Sequence, residues 1–252
     1  MKETTIIEKT KIKLKNGVLI AGLPGIGMIG NIVGRHLAEA LKAKKVADLY
    51  SPHFPHQVFM GKRGGIRLIK NRLYAINGKQ DILLLVGDVQ AISSVGQYEV
   101  ADAVLQYAKK IGVKTIITVG GYSTGKLSDE RSIFGAASHK AILAKFKKFG
   151  VVFGKARGSI VGAAGLLPAL GRLHGIQGIC LMGETHGGYV DATAAKNIVE
   201  LLSHYLGISI DIKKLEQKAK ESEKILKKIE EEIQKNVITP YEPTKRNVSY
   251  IR

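Results

Sequence analysis

The chain has 252 residues, with 39 lysines and arginines against 21 aspartates and glutamates, so its net charge at neutral pH is +18. This length suffices for a complete α/β core, and the single cysteine, Cys180, excludes an internal disulfide, a cysteine zinc cluster and a CxxC redox pair. The N-terminal residues lack the apolar core of a signal peptide, and no uncharged apolar run reaches the roughly 18 residues of a membrane span. We therefore expect a soluble cytoplasmic protein.

The positive charge favours acidic partners and salt-dependent association. Nucleic acid is one such partner, but the chain has no tryptophan and shows neither interleaved basic and aromatic residues nor a recognisable reading helix. We do not expect nucleic acid binding. Abundant Lys, Glu and Ile with few Asn, Gln and Cys are typical of a thermophile.

The first predicted elements are a buried strand at residues 17–23 and an amphipathic helix at 28–43, joined by the stretch GLPGIGMIG at 22–30. Gly25, Gly27 and Gly30 fit the GxGxxG pattern of a dinucleotide-binding turn, and Asp48 follows at about the distance expected for a ribose-binding carboxylate. The alternatives are a nucleotide-binding protein or enzyme, and a structural turn in which these glycines and Gly22 let two backbones pass closely. We favour the structural role, because single matches to this pattern are often false.

Three apolar segments follow, at 57–60, 66–76 and 81–87, and the dipeptide Asn77-Gly78 predicts a tight antiparallel hairpin between the last two. A helix at 94–111 comes next, with Ser93 or Ser94 as its N-cap and Gly112 at its end, and then a β-branched strand at 113–121.

The remaining predicted helices lie at 138–149, 162–173 and 190–206, with short strands at 151–156, 157–162 and 175–183. Alternation of strands and helices over 17–207 predicts an α/β fold, with a mixed sheet flanked by helices on both faces. We assign residues 1–207 to this domain.

The C-terminal part changes character after residue 207. Apolar or small residues recur at spacings of three and four, as in a coiled coil: Ile212, Leu215, Ala219, Ser222, Leu226, Ile229 and Ile233. We predict that residues 208–236 form a projecting amphipathic helix that mediates oligomerisation; the alternative is that it folds back onto its own domain. Residues 237–252, with two prolines and no periodicity, are expected to form an extended or mobile tail.

No pattern of a catalytic or metal site emerges. His53 and His56 lie in a proline-containing segment without the helical spacing of a metal-binding motif, and no serine lies in a GxSxG nucleophile elbow. Gly120, Gly121 and Gly125 around Ser123 could line an anion pocket, but a glycine-rich turn after a strand explains them better. We expect no metal and no cofactor.

Five motifs in order resemble the proteasome assembly chaperone family, in particular its archaeal members. They are LPGIGMIGN (23–31), SPHFPHQVF (51–59), VGDVQ (86–90), TVGGYSTG (118–125) and GAAGLLP (162–168), within a match that covers residues 10–207. The resemblance implies a fold similar to that of nucleoside phosphorylases and a homo-oligomeric, non-catalytic protein. Its implied partners are the α-subunits of the 20S proteasome, whose assembly it would promote or whose activity it would raise; an unfoldase ATPase is a further candidate partner.

Family tails that end in hydrophobic-Tyr-X insert between α-subunits, which implies that the tail of this chain binds as well. Here the chain ends Tyr250-Ile251-Arg252, with tyrosine third from the end rather than penultimate. Val248, Tyr250 and Ile251 are the expected anchors, because aromatic and aliphatic residues carry most interface energy. We expect a homo-oligomer, and a tetramer as its size.

Overall fold

A computed structural model describes residues 1–126, 131–156 and 158–220. Its strands are β1 (Thr5–Glu8), β2 (Gly17–Gly22), β3 (Lys44–Tyr50), β4 (Val58–Met60), β5 (Ile66–Leu68), β6 (Asn71–Ile76), β7 (Ile82–Gly87), β8 (Val113–Ser123), β9 (Ile133–Ala137), β10 (Val152–Phe153) and β11 (Gln177–Thr185). Its helices are α1 (Ile29–Ala40), α2 (Ser94–Ile111), α3 (Lys140–Lys147), α4 (Ala163–Gly171) and α5 (Ala192–Leu206). Residues 213–220 are also helical.

One mixed sheet organises the domain, in the order β1-β3-β6-β7-β2-β8-β11-β9-β10, and β4 and β5 form a separate two-stranded ribbon. The central strands β7, β2, β8 and β11 are parallel, whereas β1, β3, β6 and β9 pair with antiparallel neighbours. All six residues of β2 are buried, as expected for a parallel strand covered on both faces.

Two layers of helices cover the sheet, as the sequence predicts. Along β2, Leu19 and Ala21 pack with buried residues of α2 and α4, whereas Val18 and Ile20 pack with those of α1, α3 and α5. This alternation follows from the period of two along a strand. The mixed α/β fold is therefore confirmed; the likeness to nucleoside phosphorylases stays a prediction.

The caps of α2 are confirmed in detail. The Ser93 side chain accepts a hydrogen bond from the Gly96 N–H, and Gly112 ends the helix with φ of +99°. Ser93 satisfies one of the free N–H groups of the first turn, and glycine adopts the left-handed conformation without steric cost.

Several local predictions were wrong. β6 and β7 are antiparallel neighbours, but neither Asn77 nor Gly78 has a positive φ, so the connection is a longer loop and not the tight turn. The segment predicted as one strand at 66–76 is divided between the ribbon and the main sheet, and the described residues 158–162 contain no strand. Strands β1, β3 and β9 were not anticipated.

The beginning of the C-terminal helix packs against its own chain. Leu215 is 2% exposed and Ala219 is 6% exposed, and Ile212 packs against the same apolar cluster as α1 and α5. The His36 Nε2 atom lies 2.7 Å from the Asp211 carbonyl oxygen, and Lys214 pairs with Glu39. This corrects the expectation that the seam from Ile212 and Leu215 faces another chain. Leu226, Ile229 and Ile233 lie outside the described residues.

Candidate functional site

The glycine-rich turn after β2 brings helix α1 against the sheet. A Cβ atom on Gly22 would lie 2.3 Å from the Gly30 carbonyl oxygen and 2.9 Å from Gly34 Cα, and one on Gly30 would lie 2.4 Å from the Val119 carbonyl oxygen on β8. These atoms belong to the backbone, so they cannot move aside as a flexible side chain would. Gly22, Gly30 and Gly34 therefore allow close passage of helix and strands. The GxGxxG pattern pointed to the turn but not to Gly34.

The middle of the turn is held by other parts of the chain. Gly27 has a φ of +62°, which glycine tolerates, and its carbonyl oxygen accepts a hydrogen bond from the Asp191 N–H at 2.9 Å. Gly25 is less confined, because a Cβ atom there would meet only the Gln90 side-chain amide, at 3.9 Å. Gly25 and Ile26 line a neighbouring cleft.

This cleft has a volume of ≈ 590 Å³ and lies where β2 and β8 end and α4 begins. Small and apolar residues, among them Leu23, Ile26, Val119 and Met182, form much of its wall. No described lining residue is Asp, Glu, Lys, Arg or His, and the polar side chains are those of Gln90, Gln97, Thr118, Tyr122, Ser123 and Ser159. The described wall thus offers hydrogen bonds but no charged side chain for a phosphate.

Gln90 links two segments of the cleft wall. Its Nε2 atom donates to the Pro24 carbonyl oxygen at 2.6 Å, and its Oε1 atom accepts from the Ala163 N–H at 3.0 Å. The amide thereby satisfies the first free N–H of α4 and fixes the glycine-rich turn beside it. Sequence reasoning missed this role, although Gln90 ends the VGDVQ motif.

Asp48 lies away from the glycine-rich turn. It is on β3, which β6 and β7 separate from β2, a spacing of roughly 14 Å at ~4.8 Å per strand. Its Oδ2 atom lies 3.0 Å from Lys70 Nζ, 3.4 Å from Lys9 Nζ and 3.8 Å from Lys45 Nζ. Burial favours a higher pKa for Asp48, but hydrogen bonding and attraction to the lysines outweigh it and lower the pKa. The structure therefore does not bring Asp48 to the turn as a ribose ligand.

A second buried carboxylate, Asp88, joins the ribbon to the main sheet. Its oxygens lie 2.6 Å from Arg67 Nη1 and 3.0 Å from Arg72 Nη1, and its side chain is 3% exposed. Burial again favours a higher pKa, and the hydrogen bonds from both arginines outweigh it, so the pKa of Asp88 is lowered. Asp88 fixes the root of the ribbon.

The GYSTG turn packs against the glycine-rich turn. A Cβ atom on Gly121 would lie 2.5 Å from the Ile26 carbonyl oxygen, and the Ser123 hydroxyl donates to the His186 carbonyl oxygen at 2.7 Å. Close packing therefore explains Gly121, whereas Gly125 has a φ of +67° and no close contact. Gly120, Gly121 and Ser123 line the cleft, and Gly125 does not. Within the described residues, no group of three His, Cys, Asp or Glu side chains is placed to hold a metal ion.

One cluster has the composition of a catalytic triad. His53 Nε2 lies 3.0 Å from Glu99 Oε2, and His53 Nδ1 lies 3.5 Å from the Ser93 hydroxyl. The Ser93 oxygen, however, accepts the capping hydrogen bond from Gly96, and none of the three side chains lines the cleft. We interpret the cluster as the anchor of the start of α2 against the loop that precedes the ribbon.

The predicted tail anchors Val248, Tyr250 and Ile251 lie outside the described residues, as does Arg252. Among the described helices, none combines the length and apolar character that crossing a bilayer requires.

Comparison with known proteins identifies close relatives over nearly the whole chain. An uncharacterized protein from Methanocaldococcus jannaschii is 36% identical over 241 residues, which cover 94% of this chain and 93% of the relative. The crystal structure of Pyrococcus furiosus PbaB, an archaeal proteasome activator, has a TM-score of 0.86 and 39% identity, covering 91% of this chain and 100% of that one. The crystal structure of P. furiosus PbaA, an archaeal homolog of proteasome-assembly chaperone, has a TM-score of 0.76 and 26% identity. This match covers 93% of this chain and 94% of PbaA.

The family model described as the PAC2 family matches residues 19–230. Together with the two Pyrococcus structures, this match confirms the resemblance predicted from the sequence motifs. The chain belongs to the PAC2 family.

Proposed function

We propose that this protein is a non-catalytic proteasome assembly chaperone or activator, which acts in the cytoplasm as a homo-oligomer and binds 20S α-subunits through its C-terminal segment. The observation that carries the proposal is the likeness to PbaB, at 39% identity over 91% of this chain with a TM-score of 0.86. Likeness to PbaA supports the same class of function. An unfoldase ATPase is a further candidate partner.

The cleft supports a binding role over a nucleotide-dependent reaction. Its described wall carries no charged side chain, and Gly22 and Gly30 of the adjacent turn are used for backbone packing. A nucleotide site needs donors and cations that face the phosphates. The first N–H of α4, at the edge of the cleft, already donates to Gln90.

The charge of the chain suits the proposed encounter. With a net charge of +18, the protein attracts acidic surfaces, and this attraction weakens as salt screens it. We assign specificity to the tail and not to this general attraction, with Val248, Tyr250 and Ile251 as anchors and Arg252 beside them. In a homo-oligomer, several tails would raise the effective concentration at a proteasome ring.

The test is binding to immobilised archaeal 20S proteasome by the full chain, by a version ending at Asn236 and by Tyr250→Ala/Ile251→Ala. The matched control is Tyr241→Ala, which removes an aromatic ring from the same tail but leaves its end intact. We expect binding by the full chain and the control, and loss of about tenfold or more in affinity for the truncated and doubly substituted proteins. Equal binding by all four proteins would refute the tail mechanism.

A further inference from the structure

The cleft beside the glycine-rich turn lies where the chain leaves the sheet in two directions. From β2 the chain continues to β3 on one side, and from β8 it continues to β9 on the other side. Residues 119–123 of β8 extend past its last pair with β2, which joins Ala21 and Thr118, and these residues line the cleft. In open α/β sheets, ligands bind at such a point, outside the carboxyl ends of the strands.

The size and the wall of the cleft suit a small organic molecule. Its volume of ≈ 590 Å³ falls within the range of roughly 300–1,000 Å³ that is typical of small-molecule sites. Gly120, Gly135 and Ala136 are small and leave room over β8 and β9. The Tyr122 ring in the same wall is held edge-on by Phe134, with 5.0 Å between the ring centres. The cleft therefore combines open space over the sheet with a fixed aromatic ring.

A smaller cavity adjoins the cleft and contains a buried amide without a partner. Four residues line both spaces: Leu23, Gln90, Gln97 and Ala163. Asn71 lines the smaller one and is 0% exposed, and among the described residues neither its Nδ2 atom nor its Oδ1 atom has a hydrogen-bond partner. Gly87 makes room for this amide, because a Cβ atom there would lie 2.1 Å from Asn71 Oδ1. Buried amides nearly always have partners, so Asn71 points to a polar group that enters from the cleft side.

Gln97 connects the buried amide with the cleft. Its Nε2 atom donates to the Ala91 carbonyl oxygen at 2.7 Å, so its Oε1 atom remains as an acceptor. The smaller cavity has a volume of ≈ 10 Å³, which holds about one water molecule, and such a water can bond to Asn71 and Gln97 at once. A ligand in the cleft therefore meets the Gln97 acceptor first, with the donor and acceptor of Asn71 behind it.

We propose that the cleft binds an uncharged small molecule that has a carboxamide or cyclic amide at one end and a ring at the other. An ionised ligand loses its hydration without compensation, because no described side chain of the wall is charged. An amide carries both a donor and an acceptor, as pairing with Gln97 and Asn71 requires. The ring packs on the apolar part of the wall, which includes Val119 and Met182. This inference goes beyond the proposed function and does not depend on proteasome binding.

The experiment titrates benzamide into the full-length protein and follows the isotope-labelled methionine methyl groups by NMR. The chain has four methionines. Met182 lines the cleft, whereas Met60 is on the ribbon and 82% exposed, so Met60 is the internal control. Met182→Leu and Met60→Leu assign the two signals. Benzoate and benzamidine are the matched charged probes, because they keep the ring and shape of benzamide but carry a negative and a positive charge.

The inference predicts that only the neutral probe binds well. We expect benzamide to move the Met182 signal with a Kd of roughly 1 mM, as its small size allows, and to leave the Met60 signal in place. Benzoate and benzamidine should bind at least about tenfold more weakly. A Met182 signal that benzamide leaves unchanged would overturn the inference, and so would equal binding of either charged probe. This comparison uses the wild type alone, so it decides the question even if substitutions in the cleft unfold the protein.

One substitution tests the amide end of the site. Gln97→Leu removes the acceptor and should weaken benzamide binding by about two- to tenfold. The matched control is Gln106→Leu, because Gln106 is also on α2 but is exposed and bonds to Asp102 outside the cleft. Unchanged methyl signals of the ligand-free variants verify that they are folded. Equal affinity of the folded Gln97→Leu protein and the control would overturn the assigned amide contact.

The C-terminal tail is the other candidate occupant of the cleft, because it carries aromatic and aliphatic residues. The version that ends at Asn236 tests this alternative. We expect benzamide to bind the shortened chain and the full chain with the same Kd. Tighter binding by the shortened chain would show that the tail occupies the cleft, and it would overturn the inference.

Discussion

Replacement of Gly22 by alanine tests whether the glycine-rich turn exists for close packing. The added Cβ would lie 2.3 Å from the Gly30 carbonyl oxygen, whereas Cβ atoms in proteins stay at least 3.0 Å from such non-bonded atoms. Helix α1 would therefore have to move away from β2 by at least 0.7 Å. Gly25→Ala is the matched control, because a Cβ atom there would lie 3.9 Å from the Gln90 amide, an ordinary contact distance, and the φ of −171° at Gly25 is extended backbone.

The expected magnitude follows from overpacking. Forcing extra atoms into a packed core costs about 1–3 kcal/mol, and replacing glycine recovers up to ~1 kcal/mol through the unfolded chain. We therefore expect Gly22→Ala to lower the free energy of unfolding by about 1–2 kcal/mol, and Gly25→Ala to leave it unchanged or raise it by up to ~1 kcal/mol. For a domain of this size, each kcal/mol corresponds to roughly 2–4 °C in Tm.

The assay is guanidinium unfolding followed by circular dichroism, with and without added nucleotides. The packing account predicts a lower midpoint for Gly22→Ala alone and no effect of nucleotides on any variant. Equal stability of Gly22→Ala and the wild type would refute the packing argument. A midpoint that nucleotides raise in the wild type but not in Gly25→Ala would favour the alternative phosphate site.

Three further predictions concern buried groups outside the turn. Leu215→Ala should lower the free energy of unfolding by about 2–5 kcal/mol, because the side chain is 2% exposed; an unchanged guanidinium midpoint would show that the start of the helix does not pack on the body. The pKa of Asp88 is lower in the folded protein than in the unfolded chain, so the unfolded chain binds the proton of this carboxyl more tightly. The ion pairs of Asp88 therefore stabilise the fold above about pH 4, and this stabilisation is lost as pH falls through the folded pKa. Asp88→Asn should therefore flatten the acid side of the stability curve, and an identical curve would contradict the ion pairs. Burial raises the pKa of Cys180 to about 11, so a disulfide reagent should modify it only at the rate of unfolding; rapid modification of the native protein would contradict this burial.

The sequence predicts elements well where local chemistry determines them. The helix α2 is bounded by a serine cap and a glycine end, both visible in the sequence and both confirmed. The runs of β2 and β7 are apolar throughout because both faces of the central sheet are covered.

Elements that depend on distant contacts were harder to predict. The strand β3 begins with Lys44 and Lys45 and carries Asp48, whose burial becomes acceptable only because Lys70 and Lys9 arrive from other segments. Likewise, the apolar period of the C-terminal segment predicts a buried helix stripe, but it does not say whether the same chain or another covers Leu215. The sequence pointed to only part of the cleft, at Gly120, Gly121 and Ser123, because its wall combines the ends of several strands with the start of α4.

The central claim is recognition of the proteasome through the C-terminal segment. The most direct measurement is a pull-down of purified archaeal 20S α-subunits by the full chain and by the version ending at Asn236, each at low and moderate salt. The account predicts that the full chain retains the α-subunits at both salt concentrations, and that the shortened chain loses them while its folded body keeps its stability. Retention by both proteins, or by neither, would contradict it.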